Sequence, residues 1–208
     1  VIQIIEGVQP PGSDPLFDAM FRDRKRVFVD LRGWNVPVIA GEFEIDQFDG
    51  PHTVYCIATD EKATHRGSIR LIPTSEPHIL GDVFPDLCDG DVPTGPDIWE
   101  LTRACPSPAL SAAERRQVRN ALITAVVEYA RHSRIRSYTC IADSGWLSQI
   151  LAMGWNCTPL GLPRNLAGTN TGALRIDITR DTRGLLEHAG TWVPSRFVLL
   201  ADASPAHC

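Results

Sequence analysis

Apolar and polar positions change period several times along the chain. VIQIIEG reads as a short strand, and turn-forming residues follow it. Ser13 or Asp14 can cap a helix with Pro15 in its first turn, and Phe17, Met20, Phe21, Arg24 and Phe28 then recur at helical spacing. Arg24 therefore shares a stripe with aromatic side chains. Gly33, Pro37 and Gly41 break the pattern, which predicts a long connection over 33–50; loops of that length in compact domains are often functional. TVYCIATD and GSIRLIP read as a strand pair joined by the polar DEKATHR turn. Residues 73–97 are rich in Pro, Gly and Asp and predict an irregular excursion with one helical turn near Val83–Leu87. IWELTRAC is the next strand. Ser111 and Glu114 form a capping box ahead of a stripe of Val118, Leu122, Ala125, Val126 and Tyr129, the clearest helix in the chain. SYTCIA is a strand, GWLSQILAMGW a short amphipathic helix ended by Gly154, and LRIDI a late strand with a polar helix or tail beyond it.

Helices early, antiparallel strands in the middle and a strand–helix–strand–helix–strand run at the end predict an α/β fold: a three-layer αβα sandwich around a mixed, twisted sheet. This order resembles the GCN5-related N-acetyltransferase fold, in which the sheet is splayed to admit an acyl donor. A length of 208 residues fits a single domain over 1–208, and 43% apolar with 22% charged residues supports a sizeable core. The net charge of −5 argues against a nucleic-acid binder. Between Glu100 and Arg136, however, seven arginines (Arg103, Arg115, Arg116, Arg119, Arg131, Arg134, Arg136) face only Glu100, Glu114 and Glu128. Such a basic face suits an acidic partner. The six cysteines form no CxxC pair, and Cys56 and Cys140 sit in apolar runs as small hydrophobes do. With no recognisable leader and no stretch of membrane-spanning length, a reduced cytoplasmic protein is expected.

Several chemistries lack their motifs. There is no GxxxxGK[ST] phosphate cradle, no HExxH and no GxSxG, so no metal or cofactor is expected. Three clusters remain. Arg24, Phe28 and Trp34 combine a guanidinium with aromatic faces, a set that grips carboxylates and holds cationic or heteroaromatic groups; their bland alternative is a helix end with an aromatic staple. Glu44, Asp46 and Asp49 gather in EIDQFD, where a solvated acidic loop is the ordinary reading. Glu100 and Arg103 lie in WELTR. Being three apart, they point to opposite sides of a regular strand unless it bends, and Ala-Cys-Pro follows them. In the bland case they are salt-bridged to neighbours such as Arg70.

Together these clusters resemble the acyl-homoserine lactone synthases, the LuxI-type autoinducer synthases of bacteria, from about Leu16 to Trp155. The carriers are Arg24, Phe28 and Trp34, the DQFD quartet with Asp46 and Asp49, Arg70 in GSIRL, DVFP at 82–85, and Glu100 with Arg103 in WELTR. Thr102 and Ala104 depart from the serine and aromatic that often flank the motif arginine. The resemblance implies a quorum-sensing acyltransferase with two substrates: S-adenosylmethionine (SAM), and an acyl thioester on acyl carrier protein or on CoA. It implies that Arg24, Phe28, Trp34, Asp46, Asp49 and Arg103 bind SAM and that Glu100, Arg103 and Arg70 serve catalysis, with Glu100 as general base. The N-terminal half would form the SAM site and the C-terminal half the acyl-chain and acyl-carrier site. Thr139, Ile141, Trp146, Leu147 and Ile150 would line the acyl-chain pocket, and the arginine-rich run from Arg115 to Arg136 would meet the carrier. The rivals are an ordinary N-acetyltransferase, whose R/QxxGxG/A turn is missing from ACPSPALSAAERRQ, and a non-catalytic sensor module.

Overall fold

The computed structural model describes residues 1–166, 168–194 and 197–200, and divides into two compact units. The first comprises Val1–Arg70, Arg103–Leu122 and the segment from Ser195; the second comprises Leu71–Thr102 and Ile123–Pro194.

In the first unit the strand order is β11 (Phe197–Leu200), β1 (Ile2–Glu6), β4 (Val54–Thr59), β5 (His65–Pro73). β1 runs parallel to β11 and antiparallel to β4. Every residue of β4 is buried, which explains why VYCIAT lacks polar alternation: a strand covered on both faces needs none. Helix α1 (Pro15–Arg24) starts where Asp14 accepts a hydrogen bond from the Leu16 amide, with Pro15 supplying no donor that needs one. It lays Phe17, Met20 and Phe21 against Tyr55, Ile57 and Phe43, forming the core of this unit. At Lys25 the helix widens into a π-helical segment, Lys25–Leu31, where the even helical spacing expected through Phe28 gives way. π-turns of this kind are frequent at functional sites. The predicted long connection also contains a small antiparallel pair, β2 (Val38–Ile39) and β3 (Phe43–Glu44).

In the second unit the order is β6 (Ile98–Pro106, of which the residues from Arg103 on belong to the first unit), β7 (Ser137–Asp143), β10 (Thr169–Asp177), β8 (Asn156–Pro159), and β9 (Arg164–Leu166) also pairs with β10. β6 and β7 are parallel, with Glu100 beside Thr139; β7 and β10 are antiparallel. The helical turn expected near Val83–Leu87 is resolved into α2 (Ile79–Asp82) and a 3-10 turn at Pro85–Leu87. Leu80 and Leu87 pack with Cys88 and Ala173, joined by Ile141 and Phe84. Helix α3 (Ala112–His132) begins at the expected capping box, where the Ser111 amide donates to Glu114 over 2.8 Å. Helix α4 (Ser144–Leu151) stops before Gly154, and α5 (Thr182–His188) is the polar helix beyond β10. Among the described residues no helix is long and apolar enough to cross a membrane.

Candidate active site

The first unit brings six charged side chains into one network. Arg24, at the last turn of α1, points its Nε to Glu44 at 2.5 Å and both terminal nitrogens to the Asp49 carboxylate at 2.8 and 2.9 Å. Arg70, on β5, takes Asp46 in the same two-pronged manner at 2.6 and 3.1 Å and reaches Asp49 at 2.9 Å. Arg103 reaches Glu44 at 2.9 Å and Asp46 at 2.7 Å. Three guanidiniums therefore face three carboxylates, and the set is neutral. Arg24, Arg70, Glu44 and Asp49 are at most 1% exposed at the side chain, while Arg103 retains 9%. Charges this deep are tolerable only when paired and hydrogen-bonded together.

Protonation follows from this geometry. Burial pushes the Asp49 carboxyl up, but Arg24 and Arg70 more than reverse it and hold it far below the ordinary carboxylate range. Asp46 is likewise lowered by Arg70 and Arg103 against its own burial. Arg103 goes the other way from Arg24. Burial first, and then the neighbouring Arg70, depress its pKa, whereas the facing acids carry Arg24 above its usual value. Arg103 is thus the cation with the least surplus of negative charge around it.

Backbone geometry places Arg103. Its φ is +50, a left-handed conformation in the middle of β6. A non-glycine residue held there signals local strain of the kind found at ligand sites. Above it, Phe28 and Trp34 stack with ring centroids 4.8 Å apart and planes at 13°. The Arg103 guanidinium lies 5.4 Å from the Phe28 centroid and 5.8 Å from that of Trp34. Trp34, 40% exposed, is the solvent-facing member. The expected SAM set of Arg24, Phe28, Trp34, Asp46, Asp49 and Arg103 is therefore adjacent, with Arg70 inside the network.

Two members carried no assigned role in the sequence reading. Glu44 is the acid shared by Arg24 and Arg103, and Tyr55 donates its hydroxyl to Asp49 over 2.8 Å. Nothing in TVYCIATD marks Tyr55 as other than core. The EIDQFD run did flag Glu44.

In the second unit Glu100 is wholly buried, and its two oxygens accept from the amides of Ile79 (3.1 Å) and Leu80 (2.6 Å) at the start of α2. Thr139, beside Glu100, is fully buried with its hydroxyl making no hydrogen bond. Ile141 joins the Leu80–Leu87 cluster, and Leu147 lies where a side chain on Gly172 would meet it at 3.1 Å. The Trp146 amide donates to Asp143, and Ile150, nearly buried, accepts the Trp155 indole N–H. Among the described residues, no group of three or more His, Cys, Asp or Glu is arranged to hold a metal ion.

The site and fold belong to a recognised class. The autoinducer synthase family model matches residues 13–186, and the chain belongs to that family. It is 31% identical over 184 residues to an acyl-homoserine-lactone synthase of Acinetobacter nosocomialis, covering 85% of this chain and 100% of that protein. It is 30% identical over 198 residues to the isovaleryl-homoserine lactone synthase of Bradyrhizobium diazoefficiens, covering 94% and 87%. A solved structure of BjaI, a CoA-dependent acyl-homoserine lactone synthase with SAM and isopentyl-CoA, superposes with a TM-score of 0.82 at 29% identity, covering 97% and 93%. The α/β class, a mixed sheet with flanking helices, is thus the one expected. FeeM, an N-acyl amino acid synthase, at 15% identity and a TM-score of 0.58, shares the fold alone.

Proposed function

We propose that this chain is an acyl-homoserine lactone synthase that transfers an acyl group from a thioester to the amine of SAM and then closes the lactone. The observation that carries the reading is Arg103, turned out of its strand by a positive φ, anchored on Glu44 and Asp46, and set beneath the Phe28–Trp34 pair. SAM presents a sulfonium, an ammonium, a carboxylate and an adenine, and this corner of the first unit offers aromatic faces, acids and a guanidinium for them. Arg103 takes the carboxylate. Arg24, Arg70, Asp46 and Asp49 fix its direction, and the aromatic pair receives the adenosine or sulfonium end. This makes the first unit the SAM portion of a single catalytic domain; the second contributes Glu100 and the acyl-chain residues Thr139, Ile141, Trp146, Leu147 and Ile150.

The amine must lose a proton to attack the thioester carbonyl. Glu100, oriented by two backbone amides, is the proposed acceptor, directly or through water. The C–N bond forms as the C–S bond of the thioester breaks and the thiol leaves. A carboxylate oxygen of the homoserine part then attacks the side-chain carbon attached to the sulfonium: the C–O bond of the lactone forms as that C–S bond breaks, and methylthioadenosine leaves as a neutral thioether with no redox step.

A CoA thioester is the donor favoured by similarity, because both BjaI and MesI, the latter at 26% identity and a TM-score of 0.81, are CoA-dependent enzymes. Acyl carrier protein is the other donor of this chemistry. The reading places the enzyme in the cytoplasm, where SAM and acyl thioesters are made. Incubation with SAM and parallel pools of acyl-CoA and acyl carrier thioesters, followed by mass spectrometry, tests both points. A lactone and equimolar methylthioadenosine are expected; consumption of neither substrate in any pool refutes the assignment.

A further inference from the structure

A crevice in the second unit takes in Arg131, Arg134 and Arg136, the end of the arginine run expected to meet an acyl carrier. It measures about 580 Å³ and lies where the end of α3 meets the segments leading into β7 and out of β10. Arg131, Arg134, Arg136 and Arg180 line it, with Asp97 as the lone acid of the lining. Four guanidiniums against one carboxylate leave the lining strongly positive in a chain whose net charge is −5. Ala130, Ile135 and Ile178 complete the lining with Thr179, and the first two are buried.

Arginines at a helix C-terminus have an ordinary explanation, because the helix dipole favours cations there. That explanation does not cover this set. Arg136 and Arg180 are outside the helix, and the crevice gathers them by backbone bonds: Arg136 donates its amide to Asp97 and accepts from Ile178. Arg136 also pairs its side chain with Asp97, and Arg131 donates to the Arg180 carbonyl at 3.4 Å while lying close to Glu128.

Arg134 supplies the second observation. Its φ is +59, and the Ile135 amide reaches back to the Ala130 carbonyl over 2.8 Å, closing α3 in a Schellman turn. The left-handed position of that turn is normally glycine, since any Cβ there is strained. Here it carries an arginine that lines the crevice.

We infer that this crevice is a binding site for a small diphosphate-bearing molecule of the nucleoside diphosphate kind. Arginine forks match phosphate oxygens two at a time. The charge of the lining complements a diphosphate, and the volume is within the range of small-molecule sites and leaves room for an attached ribose. The inference does not depend on the acyl-transfer assignment, because its readout is binding.

Calorimetric titration of the full chain with pyrophosphate, ADP and adenosine tests it, alongside the variants Arg134→Gly, Arg180→Ser and Arg116→Ser. Arg116 is on α3 but is not among the residues of the crevice. Pyrophosphate and ADP should bind with Kd below about 1 mM and adenosine should not. Arg134→Gly and Arg180→Ser should each weaken ADP about tenfold, with Arg116→Ser unchanged. Arg134→Gly relieves the left-handed strain, so it should fold with an equal or higher melting temperature. No binding at about 1 mM overturns the inference. So does equal weakening by Arg116→Ser, which would mean diffuse charge alone. Saturable binding of polyglutamate in place of ADP also overturns it, marking the face as a dock for an acidic protein.

Discussion

Two arginines two residues apart on α1 make a controlled test of what burial does to an ion pair. Arg22 meets Glu42 at 3.1 Å with side chains 43% and 58% exposed, whereas Arg24 meets Asp49 at 2.8 Å with 1% and 0%. Opposite unit charges 4 Å apart attract by about 1 kcal/mol in water and about 4 kcal/mol at the effective dielectric of a protein site. Exposed pairs are accordingly worth about 0.2–1 kcal/mol, and breaking a buried one costs about 3–5 kcal/mol, much of it from stranding the remaining charge. Arg24→Met fills similar volume but strands nothing completely. Glu44 keeps Arg103, and Asp49 keeps Arg70 and the Tyr55 hydroxyl. The expected loss therefore falls at the lower end, about 3 kcal/mol, with Arg22→Met below about 1 kcal/mol. For a chain of this size, 3 kcal/mol corresponds to a fall in Tm of about 6–12 °C. Urea unfolding of both variants at neutral pH, with calorimetry for Tm, gives the comparison. If Arg24→Met falls within 1 kcal/mol or so of Arg22→Met, the network does not stabilise the fold as argued.

Glu100→Gln should lower kcat by about 100-fold or more while leaving the KM for SAM unchanged; near-normal turnover in a folded variant removes Glu100 from proton transfer and leaves it as a clamp on α2. Trp34→Ala should raise the KM for SAM about tenfold while changing stability by no more than about 1.5 kcal/mol, the usual range of an aromatic pair; an unchanged KM moves the nucleoside elsewhere. Acid should unfold the protein through Asp46, Asp49 and Asp23, the last held down by His65 and Ser107 against its burial. Each has a folded pKa below its ordinary value of 3.8, so its contribution is present in full above that value and is lost as pH falls. The urea midpoint should therefore drop from about pH 4 downward, and less steeply in Asp49→Asn; a midpoint flat to about pH 2 contradicts the assignment.

The sequence showed the elements whose period is set by burial. β1 alternates buried and half-buried residues, β4 and most of β5 are buried throughout, and the capping box at Ser111 and the Asp14 cap are local signals that need no tertiary context. The short strands escaped because they bury little: β8 exposes three of its four residues, and β9 has no buried one. The site was legible as residue types but not as partners. Its six charges are spread from Arg24 to Arg103, and two departures from regular geometry lie next to or within them. One is the π-helical segment after Arg24; the other is the positive φ at Arg103, hinted at only by the impossibility of Glu100 and Arg103 pairing along a straight strand.

That geometry also says how the site can recognise a charged ligand at all. Each buried acid of the network is already paired, and Arg24 and Asp49 are sealed from solvent, which on the proposed reading makes them support for the SAM site. Arg103 differs on every count: it is partly exposed, its pKa is depressed by burial and by Arg70, and one face lies against aromatic rings. On the proposed reading, a ligand carboxylate arriving there adds to Glu44 and Asp46 as a third acid on Arg103. On that reading the neutral six-charge cluster is the support, and recognition falls to the one guanidinium of the three that lies against Phe28 and Trp34.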